Sequence, residues 1–404
     1  MLATTTPGAA PPSSSPRALF RLLRLSLALG ASVLAVFCTA VLLGAYLPGL
    51  PKIGLLGPVL AGQYPLHMVL IAGVGLLLAL LARRSGLVRW GRVLTAVTAA
   101  CVAAALVIVS VQAGSAARAG TDISWSSPFT EPGYPAVSPD ETVTYARPGG
   151  AALDVDVYLP PAEARGGTPA IVLAHAGGFR TFDKSDLRGT GRWLAQHGVA
   201  AFAVDYRLAT ASVPTWDEAP QDLVCALAWV QDDAARFGVD PARVSLGGMS
   251  AGGTLAMSAA YRLVDGTIGS SCGRIPAPPA SVVGFYPGTD LVQNWEDDVL
   301  GTREAAEWFT GGTPQQQPER YAEVSPVSHV RPGLPPTLLV TGGRDPSPAR
   351  PAAVRAFGRE LVDSGNRVVV RVLPFASHAF DDAYGSLTSQ TSRTILLDFL
   401  RPSS

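Results

Sequence analysis

A serine flanked by glycines follows a short apolar segment near the middle of the chain. Residues 243–247 predict a strand, and Gly248-Met-Ser-Ala-Gly-Gly253 follows it directly. A turn this tight needs small residues around its apex, and it would strain the backbone of Ser250 and expose its hydroxyl above a sheet. Residues 254–260 predict a helix, whose N-terminus would favour negative charge beside the serine. The order strand, turn, helix predicts a nucleophilic serine.

A serine nucleophile also needs a base, and two of the five histidines follow Ser250 along the chain. His378 lies after the apolar run 367–373, which predicts the last strand. His329 instead precedes the strand predicted at 337–341. We therefore favour His378 as the base, with His329 as the alternative.

The acid that orients the base is expected in the loop after the preceding strand. Asp345 follows the predicted strand 337–341 in a Gly-Gly-Arg-Asp-Pro turn. An ordinary Asp-Pro turn is the alternative interpretation. Asp381 and Asp382 are weaker candidates because they almost adjoin His378. We favour Asp345.

A second glycine-rich turn follows another predicted strand. Residues 170–174 are continuously apolar and run into His175-Ala-Gly-Gly-Phe179. Glycines let the backbone approach a ligand closely. We predict that the amides of Gly177, Gly178 and Ala251 form an oxyanion hole. The alternative is an ordinary turn between a strand and a helix.

Strands and helices alternate through the C-terminal two thirds of the chain. Residues 142–146 and 153–159 alternate in polarity and predict an antiparallel opening pair. Continuous apolar runs, which fit parallel strands covered on both faces, lie near 170–174, 199–204, 243–247, 281–286, 337–341 and 367–373. Helices are predicted near 186–197, 217–237, 251–263, 351–364 and 389–400. This alternation predicts an α/β fold with a mixed, mostly parallel sheet.

Together, five motifs in this order resemble the hormone-sensitive-lipase-like and related carboxylesterase branch of the α/β-hydrolases. The resemblance covers about Glu141 to the C-terminus. It rests on His175-Ala-Gly-Gly-Phe179, Asp205-Tyr-Arg-Leu208, Gly248-Met-Ser-Ala-Gly252, Gly342-Gly-Arg-Asp345 and Ser377-His-Ala-Phe380. It implies an α/β-hydrolase fold and hydrolysis of a small-molecule or lipid ester without a cofactor.

In that interpretation Ser250 attacks the ester carbonyl, His378 moves the proton and Asp345 holds the imidazole. Two positions depart from the family pattern: Ala176 replaces a glycine, and Met249 stands where lipase-like members usually have an acidic residue. Fold does not specify the substrate. An acyltransferase or peptidase using the same triad is one alternative, and a non-catalytic membrane sensor or scaffold is another.

The first third of the chain contains three apolar stretches, near 25–47, 64–82 and 93–113. Each is about long enough to cross a hydrocarbon core of ~30 Å as a helix. A buried helical hairpin is one alternative. A cleaved signal peptide is an alternative for the first stretch, but because two further stretches follow it we favour an uncleaved anchor. We predict a disordered tail at 1–16, a membrane region at 17–113, a linker at 114–140 and an α/β-hydrolase domain at 141–404.

Arginines predict the orientation of these stretches. Three precede the first stretch: Arg17, Arg21 and Arg24. Four lie between the second and third stretches: Arg83, Arg84, Arg89 and Arg92. The loop between the first and second stretches has only one basic residue, Lys52. Because basic residues favour the cytoplasmic side, we predict an integral protein of a bacterial plasma membrane with a cytoplasmic N-terminus and an extracytoplasmic hydrolase. The 31 basic and 31 acidic residues balance, so no nucleic-acid partner is expected. Histidines and cysteines are too scattered to predict a metal site.

The four cysteines fall into two pairs. Cys38 and Cys101 lie in the apolar stretches and are interpreted as small apolar residues. The family fold implies that the helix containing Cys225 packs on the same sheet face as the nucleophile helix, which Cys272 follows. A disulfide is chemically permitted outside the cytoplasm, so we predict a Cys225–Cys272 bridge.

Overall fold

The computed structural model describes residues 16–164 and 166–401. Its N-terminal region consists of α1 (Pro16–Tyr46), α2 (Ile53–Gly57), α3 (Pro65–Arg84) and α4 (Val88–Arg118), with a π-helical turn at Pro58–Gly62. The predicted disordered tail lies outside the described residues, apart from Pro16, at which α1 begins. Helix α4 extends past residue 113 to Arg118.

Helices α1, α3 and α4 are long and apolar enough to cross a membrane. Only 39%, 33% and 33% of their most apolar 18-residue windows are buried. Leu29, Val36 and Leu70, for example, are more than half exposed. A helix that is apolar all round and largely unburied is suited to a lipid environment. Where the helices touch one another, small side chains such as Ala31, Ala35 and Ala79 are buried, as is usual between membrane helices.

The rest of the chain folds around one eight-stranded sheet in the order β1-β2-β4-β3-β5-β6-β7-β8. The strands are β1 (Glu141–Ala146), β2 (Leu153–Tyr158), β3 (Thr168–Ala174), β4 (Ala200–Val204), β5 (Val239–Met249), β6 (Val282–Phe285), β7 (Thr337–Gly342) and β8 (Val368–Leu373). β2 pairs antiparallel with β1 and with β4, and the pairs among β3 to β8 are parallel. The predicted α/β fold with a mixed, mostly parallel sheet is confirmed.

Helices flank this sheet. They are α5 (Ser127–Thr130), α6 (Arg188–Gln196), α7 (Glu218–Asp232), α8 (Ala234–Phe237), α9 (Ala251–Asp265), α10 (Leu291–Asp297), α11 (Thr302–Thr310), α12 (Pro318–Val324), α13 (Pro351–Asp363) and α14 (Leu387–Leu400). Every residue of β4 and β6 is buried, which explains their continuous apolar sequence. The Sγ atoms of Cys225 in α7 and Cys272 after α9 are bonded at 2.07 Å.

The parallel strands bring their carboxyl ends to one edge of the sheet. Ala174 ends β3, Met249 ends β5, Gly342 ends β7 and Leu373 ends β8. In open α/β sheets the ligand lies outside this edge. The turns after these four strands, together with the first residue of α9, contain every residue that the sequence predicted for the catalytic site and the oxyanion hole.

Candidate active site

The turn between β5 and α9 holds Ser250 in strained geometry. Its φ of 50° and ψ of −117° lie in a region that non-glycine residues rarely occupy. The Ser250 amide donates to the Phe285 carbonyl oxygen at 2.8 Å, which ties the turn to β6. A Cβ on Gly248 would lie 2.4 Å from the carbonyl carbon of Gly252, so glycines on both sides let the chain fold this tightly.

Three side chains from different strand ends form a hydrogen-bonded chain. Ser250 Oγ lies 3.0 Å from His378 Nε2, and His378 Nδ1 lies 2.7 Å from Asp345 Oδ2. Asp345 Oδ1 also accepts a bond from the Ser347 amide at 3.1 Å. The carboxylate fixes the Nδ1–H tautomer of the imidazole, which leaves Nε2 free to accept the serine proton.

The charge on His378 is set by opposing effects. Burial pulls the pKa of its imidazole down, but the charge and hydrogen bond of Asp345 outweigh burial, with help from the charges of Asp382 and Asp381. The pKa of His378 therefore lies above its ordinary value. An imidazole held in this way is stabilised when it takes up a proton from serine.

The alternative base and acids lie in other hydrogen-bonded pairs. His329 Nε2 lies 2.7 Å from the carbonyl oxygen of Glu323, away from the serine. Asp381 accepts a hydrogen bond from Tyr286 at 2.5 Å, and Asp382 accepts one from Tyr134 at 2.7 Å. Neither carboxylate bonds His378 among the described residues.

Asp381 and Asp382 are nevertheless close enough to His378 for their charges to act on it. Burial and the charge of Asp382 raise the pKa of Asp381, and burial raises the pKa of Asp382. The Tyr286 ring meets the His378 ring edge-on at 4.7 Å. Sequence reasoning missed Tyr286, whose position directly after β6 was the available signal. Among residues 16–164 and 166–401, no three His, Cys, Asp or Glu side chains group as metal ligands.

Helix α9 begins in close contact with the end of β3. A Cβ on Gly252 would lie 2.3 Å from the carbonyl oxygen of Ala174 and 2.4 Å from that of His175. Only glycine permits this approach. The contact brings the first turn of α9 against the glycine-rich turn that follows β3.

Three backbone amides predicted to bind an oxyanion line the same cavity as the serine: Gly177, Gly178 and Ala251. Gly177 and Gly178 have φ values of 119° and 58°, which favour glycine. In the described part of the chain, no protein atom accepts a hydrogen bond from the amides of Gly178 or Ala251. Ala176, the departure from the family pattern, also lines this cavity. These donors remain available to a bound ligand.

The cavity above Ser250 has a volume of about 590 Å³. Its apolar wall includes Phe179, Leu187, Leu291, Leu300 and Ala306. Such a volume, with a few polar groups at one point, is typical of a small-molecule site. Met249, the other departure from the family pattern, faces the cavity as well.

Part of the long segment between β6 and β7 covers this cavity. Helices α10 and α11 contribute lining residues, whereas Trp295, Trp308 and Phe309 of this segment do not line the cavity. Phe309 is fully buried and stacks on Phe179 at 4.1 Å, and Trp295 donates to Glu307 at 2.8 Å. The Arg180 guanidinium lies 4.8 Å from the centre of the Trp308 ring. The aromatics therefore hold the covering segment in place.

Comparisons with known proteins give a matching family model and several relatives. A sequence model of the BD-FAE family matches residues 155–351. Ethyl acetate hydrolase of Pseudomonas putida is 31% identical over 252 residues, which cover 57% of this chain and 72% of that protein. The non-reducing polyketide synthase stbA of Stachybotrys bisbyi is 29% identical over 153 residues, 36% of this chain. The chain spans only 6% of the length of that synthase.

A solved structure shares the fold of this chain. The butyrate-bound esterase Est2 of the Planctomycetes species Thermogutta terrifontis superposes with a TM-score of 0.52 at 23% identity, over 65% of this chain and 96% of that chain. At this identity the match shows the fold. The fold defines an α/β-hydrolase. Taken with the hydrolase of Pseudomonas putida, it shows that the chain belongs to the α/β-hydrolase esterase family, a family of carboxylic-ester hydrolases.

Proposed function

We propose that this chain is a membrane-anchored serine esterase with Ser250 as nucleophile, His378 as base and Asp345 as orienting acid. The observation that carries the proposal is the continuous chain of hydrogen bonds from Ser250 through His378 to Asp345, at 3.0 Å and 2.7 Å, at the wall of a cavity. A binding module has no need of this alignment.

The reaction follows from the geometry. Ser250 Oγ attacks the ester carbonyl while His378 Nε2 takes its proton, and Asp345 stabilises the imidazolium. The carbonyl oxygen becomes an oxyanion beside the amides of Gly178 and Ala251, which have no other acceptor in the described structure. His378 passes its proton to the leaving alcohol. Water activated by His378 then releases the acid from the acyl-enzyme.

The cavity supports a small ester substrate. A volume of about 590 Å³ with an apolar wall has room for the acyl and alcohol parts of a small-molecule ester. We test this with p-nitrophenyl esters from acetate to palmitate, using the full-length chain in detergent micelles. We expect hydrolysis by the wild-type chain, with the chain-length optimum reporting the usable depth of the cavity, and no turnover by Ser250→Ala. Absence of hydrolysis across the whole series, in a folded protein, would refute it.

We further propose that the hydrolase lies outside the cytoplasmic membrane. It contacts the bundle at Ala45 and Gln63, whereas Arg83 and Arg84 lie at the opposite end of α3. Basic residues favour the cytoplasmic end of a bundle. The Cys225–Cys272 disulfide also fits an oxidising compartment.

Cysteine accessibility tests this orientation. Val88 and Val362 are 45% and 52% exposed, at the arginine-rich end of the bundle and on α13 respectively. A membrane-impermeant maleimide applied to intact cells is expected to label Val362→Cys. It should label Val88→Cys only after the cells are permeabilised. The reverse pattern would overturn the orientation.

A further inference from the structure

The membrane-helix bundle makes direct contact with the loop that carries His378. This loop, residues 374–379, follows β8. A Cβ on Gly62 would lie 2.0 Å from the carbonyl oxygen of Phe375, so the two backbones touch. Next to it, Gln63 is 5% exposed, and its Nε2 lies 3.3 Å from the His378 carbonyl oxygen and 3.1 Å from that of Ala379. A side-chain amide from the bundle therefore donates to the backbone of the catalytic loop.

A second glutamine extends this connection into α4. Gln112 is 1% exposed, and its Nε2 donates to the carbonyl oxygens of Gly62 at 2.7 Å and Pro374 at 3.3 Å. A buried amide is costly in an otherwise apolar helix, and polar groups retained in such helices usually have a function. Here the amide joins α4, the turn before Gln63 and the start of the His378 loop.

The loop that carries Asp345 is attached to the same bundle. Arg344 Nε donates to the carbonyl oxygen of Ala45, near the end of α1, at 3.1 Å. Its guanidinium lies 5.2 Å from the centre of the Phe375 ring, which meets the Tyr46 ring edge-on at 5.1 Å. The bundle thus contacts the backbone of the loop that carries the base and the side chain of Arg344, the residue before the orienting acid.

The His378 loop needs such support. Phe375 and Ala379 have φ values of 60° and 51°, in the left-handed region that side chains rarely adopt. Strained backbone of this kind persists only where its surroundings hold it. Much of what surrounds residues 374–379 on the side away from Ser250 is supplied by the bundle.

Resting on the esterase function above, we propose that Gln63 and Gln112 are positioning residues for His378, which makes the helical bundle part of the active site as well as an anchor. They hold the loop backbone so that the imidazole stays in line with Ser250 and Asp345. Misplacement of a catalytic group by 1 Å can cost roughly 10²-fold in rate. Loosening this loop therefore lowers the rate of the chemical step and leaves substrate binding largely intact.

The test uses the full-length chain in detergent micelles, with Gln63→Met and Gln112→Met. Methionine keeps the length of the side chain and removes the amide donor. Ser110→Ala is the matched control, because Ser110 lies in α4 and, within the described residues, donates only to its own helix, at the carbonyl oxygen of Leu106. Fluorophosphonate titration counts active sites, so that kcat refers to folded enzyme. Steady-state kinetics with p-nitrophenyl butyrate then gives kcat, KM and the pH profile of kcat/KM.

We expect Gln63→Met to lower kcat roughly tenfold with little change in KM, because a small displacement of His378 affects alignment. Gln112→Met should have a smaller effect of the same kind. In both, the acid limb of kcat/KM should move to lower pH as His378 loses contact with Asp345. The Ser110→Ala control should match wild type.

Two other results have distinct meanings. If the two glutamine variants have the same kcat per active site and the same acid limb of kcat/KM as the Ser110→Ala control, the positioning role is overturned. This holds even if the thermal stability of the variants is lower. A wild-type chain with neither turnover nor fluorophosphonate labelling would instead refute the esterase proposal.

Discussion

Gly252 provides a sharp test of how the nucleophile helix is positioned. It occupies the first turn of α9, where replacing glycine by alanine would ordinarily stabilise a helix by about 1 kcal/mol. In this chain, however, a Cβ at residue 252 would lie 2.3 Å from the Ala174 carbonyl oxygen. Ordinary van der Waals contact begins at 3.4 Å, so the start of α9 and the end of β3 must separate by about 1.1 Å.

That separation acts directly on the proposed chemistry. It moves the Ala251 amide away from Gly178 and shifts Ser250 relative to His378. Loss of one oxyanion donor typically costs about 10²–10³ in turnover, and a 1 Å misplacement costs a similar factor. We therefore expect Gly252→Ala to lower kcat/KM by about 10²–10³.

The assay is hydrolysis of p-nitrophenyl butyrate by the full-length chain, normalised by active-site titration. The control is Gly73→Ala, another helical glycine, whose added Cβ would meet no atom of the described part of the chain within 4 Å. This control should retain wild-type kcat/KM. Wild-type kcat/KM in Gly252→Ala would refute the argument that the approach of α9 to β3 builds the oxyanion hole.

Two further predictions concern charge and stability. Because the base acts when neutral and the pKa of His378 is raised, kcat/KM should fall as pH decreases through a midpoint above 6.5. Asp345→Asn removes the charge that raises the pKa of His378, so a pH–rate series should show this midpoint at lower pH. The same variant should have a kcat lower by about 10³–10⁴. An unchanged midpoint would contradict the assignment of Asp345. The Cys225–Cys272 bridge closes 47 residues, for which chain entropy gives roughly 4 kcal/mol. The double alanine variant should unfold at lower denaturant with unchanged KM, and an unchanged unfolding midpoint would contradict this stabilising role.

Much of the fold and of the candidate site could be predicted because the signals are local. Gly248 and Gly252 identify the sharp turn around Ser250, since only small residues allow that backbone. Continuous apolar runs identify the parallel strands. Parallel strands bring their carboxyl ends to one edge, so the chain order alone predicted that Ser250, Asp345 and His378 would meet, and the structure brings them together.

The contacts between the bundle and the active site could not be predicted in this way. Gln63 and His378 are 315 residues apart, and no periodicity or motif pairs them. A lone glutamine beside an apolar stretch indicates a special position, but its partner is fixed only by tertiary packing. The same holds for Phe309: nothing in the sequence pairs it with Phe179, on which it stacks while fully buried.

The most direct test of the central proposal is chemical identification of the acyl-enzyme. The full-length chain is mixed with excess p-nitrophenyl butyrate, quenched in acid within the first turnover, digested and mapped by mass spectrometry. We predict one butyrylated residue, Ser250, and no trapped adduct in Ser250→Ala. Turnover that persists in Ser250→Ala, or an adduct on a different residue, would contradict it.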